Sequence, residues 1–191
     1  MLLEPEGNNV EAVFRTAFRA IGDRQILKRG APPGRRVKTD PMAHSCTRLK
    51  SQDLARFRDL MTVFADAFED PHAYRDAPPS DAYLQRLLAK PTVIALAAEV
   101  EGTVVGGLVA YVLEKFERER SEIYIYDLAV AASHRRQGIA RGLILDLKGI
   151  AAAIGAYVIY VQADLVDDPA IKLYTSLGTR EDVLHFDIEV T

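Results

Sequence analysis

The sequence predicts an α/β fold of the α+β kind, a central mixed and twisted sheet flanked by helices, and three observations carry that reading. Residues 92–100 and 103–113 are β-rich runs separated only by Glu101-Gly102, which signals an antiparallel hairpin. Residues 121–130 lead through a short polar turn into a long apolar helix over 137–154 and then into an apolar run over 156–163. A strand, crossover helix and strand in that order bring two strands together in parallel. Helices with one apolar face occupy the rest of the segment from residue 45 onward.

The first 41 of the 191 residues read as an extension and linker, partly disordered, ahead of a domain over 42–191. Val13, Phe14, Ala17, Phe18 and Ile21 stand at helical spacing within 10–27, whereas 29–41 combines Gly30, Pro32, Pro33, Gly34 and Pro41 with basic residues and breaks any periodicity. Met42 is an alternative start of the chain. Residues 46–49 form a short strand, Ser51 is the expected cap of a helix with Leu54, Phe57, Leu60, Met61, Phe64 and Phe68 on its apolar face, and a second helix follows Ser80 with Tyr83, Leu84, Leu87 and Leu88 available for packing. Ile139, Leu143, Ile144, Leu147 and Ile150 make the buried side of the 137–154 helix, and Gly155 stops it. The apolar run over 156–163 reads as a buried central strand. A last helix covers 169–177 and a final strand 183–190.

Composition bounds the function. Apolar residues make 49% and charged residues 27% of the chain, ordinary values for a globular protein. Residues 1–41 hold eight Lys/Arg against five Asp/Glu, so a whole-chain charge of −3 leaves −6 on the remainder. An acidic body argues against nucleic-acid binding and favours cationic partners. No run is long and apolar enough for a membrane span, and no secretory signal pattern opens the chain. Cys46 is the lone cysteine and the four histidines have no metal-ligand spacing, so the reading is a cytoplasmic protein with no metal.

Chemistry concentrates at Arg135-Arg136-Gln137-Gly138-Ile139-Ala140. A glycine-bearing turn at a helix N-terminus leaves backbone N–H groups to donate and adds the positive end of the helix dipole, which suits a pyrophosphate. Gly138 and Ala140 are small enough for close approach, and Arg135 and Arg136 can add charge-assisted bonds. The spacing Arg-x-x-Gly-x-Ala after Asp-Leu-Ala-Val resembles the acetyl-CoA site of the GNAT superfamily of N-acetyltransferases. The resemblance implies acetyl-CoA as cosubstrate, two parallel strands that splay apart, and the backbone of Leu128, Ala129 and Val130 pairing with the pantetheine arm. It also implies, from the family pattern Asn-x-x-Ala-x-x-x-Tyr, that Ala170 lies by the cofactor and that Tyr174 protonates the departing thiolate; Asp167 stands where the family has Asn.

Acetyl transfer also needs an amine freed of its proton. Asp127, beside the acetyl-binding segment, is the favoured carboxylate, with Glu122 in reserve. Strict alternation puts these two on opposite faces unless a bulge intervenes. Over residues 45–190 the motifs 94–98, 121–130, 134–140, 155–164 and 185–188 resemble the aminoglycoside 3-N-acetyltransferases of the gentamicin-resistance type. That resemblance implies acetylation of the 3-amino group of a 2-deoxystreptamine ring, by direct transfer in a ternary complex, with antibiotic resistance as the outcome. A polyamine sugar calls for several carboxylates, and Asp127, Asp164, Asp167 and Asp168 are the candidates, with Tyr83 as one wall of the groove. Another polyamine or a protein amine as acceptor, a non-catalytic CoA-binding sensor, and an interaction role for the basic N-terminal segment remain open, as does a homodimer.

Overall fold

The computed structural model describes residues 44–186 and 188–190. The expected extension over 1–41 lies outside the described residues. Five strands form one sheet in the order β1 (Ser45–Leu49), β2 (Val93–Val100), β3 (Thr103–Glu114), β4 (Ser121–Val130) and β5 (Ala156–Val161). All neighbours are antiparallel except β4 and β5, which are parallel. The helices are α1 (Leu54–Ala67), α2 (Asp81–Leu88), α3 (Ile139–Ala153) and α4 (Asp168–Thr175). This is the GNAT architecture expected of the sequence.

Two apolar layers sandwich the sheet. On one face Ile94, Leu96, Leu108, Ile123, Ile125 and Val130 meet Ile139, Leu143, Ile144 and Leu147 of α3. On the other, Ala95, Ala97, Val109 and Ala129 meet Phe57, Leu60 and Phe64 of α1 and Leu84 and Leu88 of α2. The period-2 alternation of the strands sorts side chains between these layers. The β2–β3 hairpin closes as read, with Glu101 and Gly102 both at positive φ (50° and 78°), the requirement of a type I′ turn.

Three expectations are corrected. Asp53, not Ser51, is the residue that caps α1, and its carboxylate turns back to accept the Lys50 N–H (2.9 Å) instead of bonding into the helix. Among the described residues β5 is an edge strand, only partly buried along most of its length, not a central one. The described residues over 183–190 form no strand: Val183, Leu184, Phe186, Ile188 and Val190 are 65–98% exposed. Alternation supplies a strand with a face, but only a ladder partner satisfies its backbone.

Helix α1 crosses β3 at Gly107, where a Cβ would stand 2.3 Å from the Leu96 carbonyl oxygen and 2.6 Å from Leu60 Cδ1. The backbone carbonyl cannot yield as a side-chain tip can. Gly107→Ala therefore lowers stability by about 1–3 kcal/mol, the usual range for overpacking, read as a lower midpoint in urea unfolding with an unchanged slope.

Candidate active site

The ladder between β4 and β5 stops short. It pairs Tyr124 with Tyr160 and Ile125 with Val161, while β4 continues to Val130. Beyond that point the β5-facing edge of Leu128, Ala129 and Val130 has no strand beside it among the described residues, which leaves a notch fit for an extended arm to add as a strand would.

At the same place β4 carries a bulge. Ile125 lies opposite Ala110 and Asp127 opposite Val109, so Tyr126 is the extra residue. The extra residue shifts parity, and Asp127 joins Tyr124 on the α1 side of the sheet while Leu128 and Val130 pack toward α3. Asp127 is half buried there and accepts a hydrogen bond from the Tyr74 hydroxyl (3.2 Å). Burial raises the carboxyl pKa above its ordinary value, and the Tyr74 bond opposes that rise. Tyr74 comes from a π-helical turn, His72–Asp76, and its ring packs on Phe64 and Phe68 of the α1 end (6.1 Å each). Neither Tyr74 nor the turn was legible as functional in the sequence.

Glu122 does not meet Asp127. It is 5% exposed, accepts from Tyr157 (2.8 Å) and Lys115 (3.5 Å), and lies five positions, roughly 15 Å, back along β4. Arg120 caps this cluster by stacking over the Tyr157 ring at 4.0 Å. The carboxylate there is held by a cation and a phenol, an arrangement that fastens the sheet's far end.

The strand leaves β4 through a 3-10 turn, Ala132–His134, and reaches α3 by way of Gly138. Gly138 sits at φ 83° and a Cβ built on it meets nothing within 4 Å. That open space lies at the positive end of a fifteen-residue helix, where the N–H groups of Ile139, Ala140 and Arg141 precede the first helical bond, from Gly142 N–H to the Gly138 carbonyl. Ile139 is buried at 3% and anchors this helix start in the core. Arg136 is also at positive φ (63°), Gln137 Nε2 donates to the Ser133 carbonyl (3.3 Å), and Arg135 Nε donates to the Val130 carbonyl (3.1 Å). The Arg135 bond ties the turn back to the end of β4. Residues 135–140 thus fit a pyrophosphate.

Tyr174, from α4, packs partly buried against the α3-side core. Burial, and then the nearby Asp167 carboxylate, push its pKa up to about 12. Asp167 caps α4 by accepting the Ala170 N–H (3.0 Å), and Asp168 pairs with Lys172 (3.4 Å). Asp164 is exposed, and its carbonyl accepts the Asp167 N–H (3.0 Å). Asp167 and Asp168 are tied to their own helix and Asp164 is exposed in the loop before it, whereas Asp127 is held by Tyr74 on the α1 side of the sheet. Tyr83 is half exposed on α2, near enough to Tyr111 to help raise the pKa of that phenol after burial and Tyr126. Among the described residues no group of His, Cys, Asp and Glu could hold a metal ion, and no helix is long and apolar enough to cross a membrane.

A parallel pair whose ladder stops short, with a glycine turn and a long helix after β4, is an architecture of the acetyltransferase class. The chain belongs to the acetyltransferase (GNAT) family, whose profile matches residues 57–179. Among solved structures it is similar to an aminoglycoside acetyltransferase from an uncultured soil metagenomic sample, with 53% identity over 78% of this chain and 100% of that one and a TM-score of 0.77. A second aminoglycoside acetyltransferase from an uncultured soil metagenomic sample, in complex with sisomicin, is 35% identical over 78% of this chain and 97% of its own, with a TM-score of 0.72. The ribosomal-protein-alanine N-acetyltransferase of Brucella melitensis biovar Abortus 2308 is 26% identical over 78% of this chain and 100% of its own, with a TM-score of 0.62. None of the curated proteins matches the chain.

The Tyr74 bond is directly measurable. Because it lowers the Asp127 pKa against the effect of burial, Tyr74→Phe raises the carboxyl pKa further, read from the pH dependence of the Asp127 side-chain carbon signal in NMR. An unchanged or lower pKa in the variant shows that the bond is not made in solution.

Proposed function

We propose that this enzyme is an aminoglycoside 3-N-acetyltransferase that uses acetyl-CoA. The observation that carries the reading is the notch between β4 and β5 with Asp127 at its mouth. It is supported by the 53% identity to an aminoglycoside acetyltransferase over the full length of that chain. The reaction is placed in the cytoplasm, and its product is a drug with one fewer cationic amine, hence resistance.

Residues 135–140 take the pyrophosphate, and the backbone of Leu128, Ala129 and Val130 takes the pantetheine arm, with Ala170 flanking it. The acceptor ring lies on the α1 side, where Asp127 holds the reacting ammonium and draws its proton. A carboxyl pKa raised by burial makes a stronger base than an ordinary aspartate. The amine lone pair attacks the thioester carbonyl, a backbone N–H at Leu128 or its neighbour steadies the oxyanion, and the C–N bond forms as the C–S bond breaks. Tyr174, kept protonated by its raised pKa, gives its proton to the thiolate and regains one from solvent, and the two protons the ammonium loses leave in turn through Asp127 to solvent. Tyr83, Asp164, Asp167 and Asp168 supply outer contacts to the other ammonium groups. Glu122 is not given a catalytic part, because its oxygens are already committed to Tyr157 and Lys115.

Thiol release from acetyl-CoA tests the reading, with gentamicin, kanamycin and spermidine as acceptors. Turnover is expected with the two aminoglycosides, with the new amide on the 3-amino group by NMR of the product. Asp127→Asn lowers that turnover by about 10²–10⁴ while acetyl-CoA still raises the melting temperature. Turnover of spermidine or of a protein amine alone replaces the proposed acceptor, and acetyl-CoA binding with no turnover of any amine replaces the enzyme with a sensor.

Tyr174→Phe separates acid catalysis from packing. It keeps the ring in the core and removes the proton, so kcat falls by about 10²–10⁴ with acetyl-CoA affinity nearly unchanged when chemistry limits the rate. Wild-type kcat under that condition makes Tyr174 a packing residue.

A further inference from the structure

Five of the chain's tyrosines, Tyr74, Tyr111, Tyr124, Tyr126 and Tyr160, gather on the α1 side of the sheet around Asp127, and the catalytic steps above use none of them; Tyr74 enters only as the donor to Asp127. Tyr124 and Tyr160 face each other across the β4–β5 register and stack, with ring centroids 4.9 Å apart and planes 19° apart. Tyr126 stands edge-on to Tyr124 (5.9 Å, 79°) and to Tyr111 (5.7 Å, 86°). Tyr74 joins them through Asp127, and Tyr126 contributes to the upward shift of the Tyr74 pKa. The phenols are not core filler. Tyr126 is 62% and Tyr160 37% exposed, and Tyr83, at the Tyr111 end, is 50% exposed.

An exposed run of rings marks a surface that takes a partner, and aromatic faces attract cations through the ring quadrupole. Sugar rings offer C–H faces for the same planes, and a protonated amino sugar offers both. The bulge fixes the relation to the reacting centre, because Tyr126 is the extra residue and Asp127 follows it on the same side of the sheet. A ring held on Tyr126 thus sits one residue from the carboxylate. The guanidinium of Arg120 covers a different ring, Tyr157.

We propose that Tyr111, Tyr124, Tyr126 and Tyr160 form an aromatic subsite that holds a protonated amino-sugar ring of the acceptor, with Tyr126 as its specificity-determining residue. The proposal rests on the aminoglycoside reading and adds to it the part of the site that distinguishes a rigid ring from a flexible polyamine. Carboxylates alone attract either cation; only flat rings reward a flat ligand. Tyr124 is held for this task by its hydroxyl, which donates to Gln162 Oε1 (2.9 Å).

Calorimetric titration of the full chain with gentamicin, with spermidine and with a neutral disaccharide tests the subsite in the wild type, Tyr126→Leu and Tyr126→Phe. The chain has no tryptophan and eight tyrosines, four of them in the subsite, so tyrosine fluorescence gives a second readout. Gentamicin binding is expected to weaken about 2–30-fold in Tyr126→Leu and to return in Tyr126→Phe, with spermidine binding changed far less. The acetyl-CoA melting shift in each variant reports that it is folded. Wild-type gentamicin affinity in folded Tyr126→Leu, or an equal loss for spermidine, overturns the subsite and leaves the acceptor class standing. Gentamicin that fails to bind the wild type overturns both.

Discussion

The hydrogen-bonded pairing of β4 with β5 ends at Ile125 and Val161, and the bulge of β4 falls on the next residue. Everything that makes this sheet a site follows from that coincidence. An uninterrupted parallel pair would bury its backbone groups in a ladder and leave no edge for a ligand. Here five residues of β4 run on without β5, while β3 continues to hold them from the other side. The strand is therefore rigid on one edge and open on the other. The bulge then twists its side chains, sending Leu128 and Val130 into the α3 core and Asp127 to the opposite layer.

Burial acts on both titrating groups in the same direction and gives them different uses. Removing solvent disfavours the charged form of a carboxylate and of a phenolate alike. For Tyr174, with a pKa pushed up to about 12, the result is a phenol that keeps its proton at neutral pH, in place for the leaving sulfur of the proposed transfer. For Asp127 the result is a carboxylate with greater proton affinity than an exposed one, moderated by the Tyr74 hydroxyl. The groups belong to different layers, Asp127 to the α1 side and Tyr174 to the α3 side. In the proposed transfer Asp127 takes a proton from the amine on the α1 side and Tyr174 gives one to the sulfur on the α3 side, without the two groups having to meet.

The elements around the glycine turn were legible because their chemistry is local. A strand over Ser121–Val130, a glycine with positive φ and an apolar helix with a buried Ile139 all follow from residues adjacent in sequence. What depended on distant partners was not legible. The run Ala156–Val161 is as apolar as a central strand, and only the sheet order makes it an edge. The alternation over 183–190 gives a face without naming a neighbour. The parity of Glu122 and Asp127 turned on a bulge that no residue type announces, since Tyr126 suits a regular strand as well. Tyr74 was hidden for the same reason: its π-helical turn is closed by Asp70, whose carboxylate accepts the Ala73 N–H (3.0 Å), and by a His72–Asp76 pair. Those contacts are set once the turn exists.

The same placement supports direct transfer in the proposed reaction over a covalent relay. A covalent relay needs a nucleophile with an accessible, ionisable atom at the notch. Cys46 lies on β1, at the opposite edge of the five-stranded sheet and roughly 19 Å from β5 by strand spacing. Burial, followed by a hydrogen bond to Asp146 and its charge, pushes the Cys46 thiol up to about 12, so it remains a thiol at neutral pH. Ser176, just past the end of α4, donates its hydroxyl to the Leu173 carbonyl (2.6 Å) and accepts from Arg141 (3.1 Å). Neither side chain is positioned to take the acetyl group. In the proposed reaction the acceptor amine is then the first nucleophile the thioester meets, and the proposal turns on how Asp127 and the rings beside it would hold that amine against the open edge of β4.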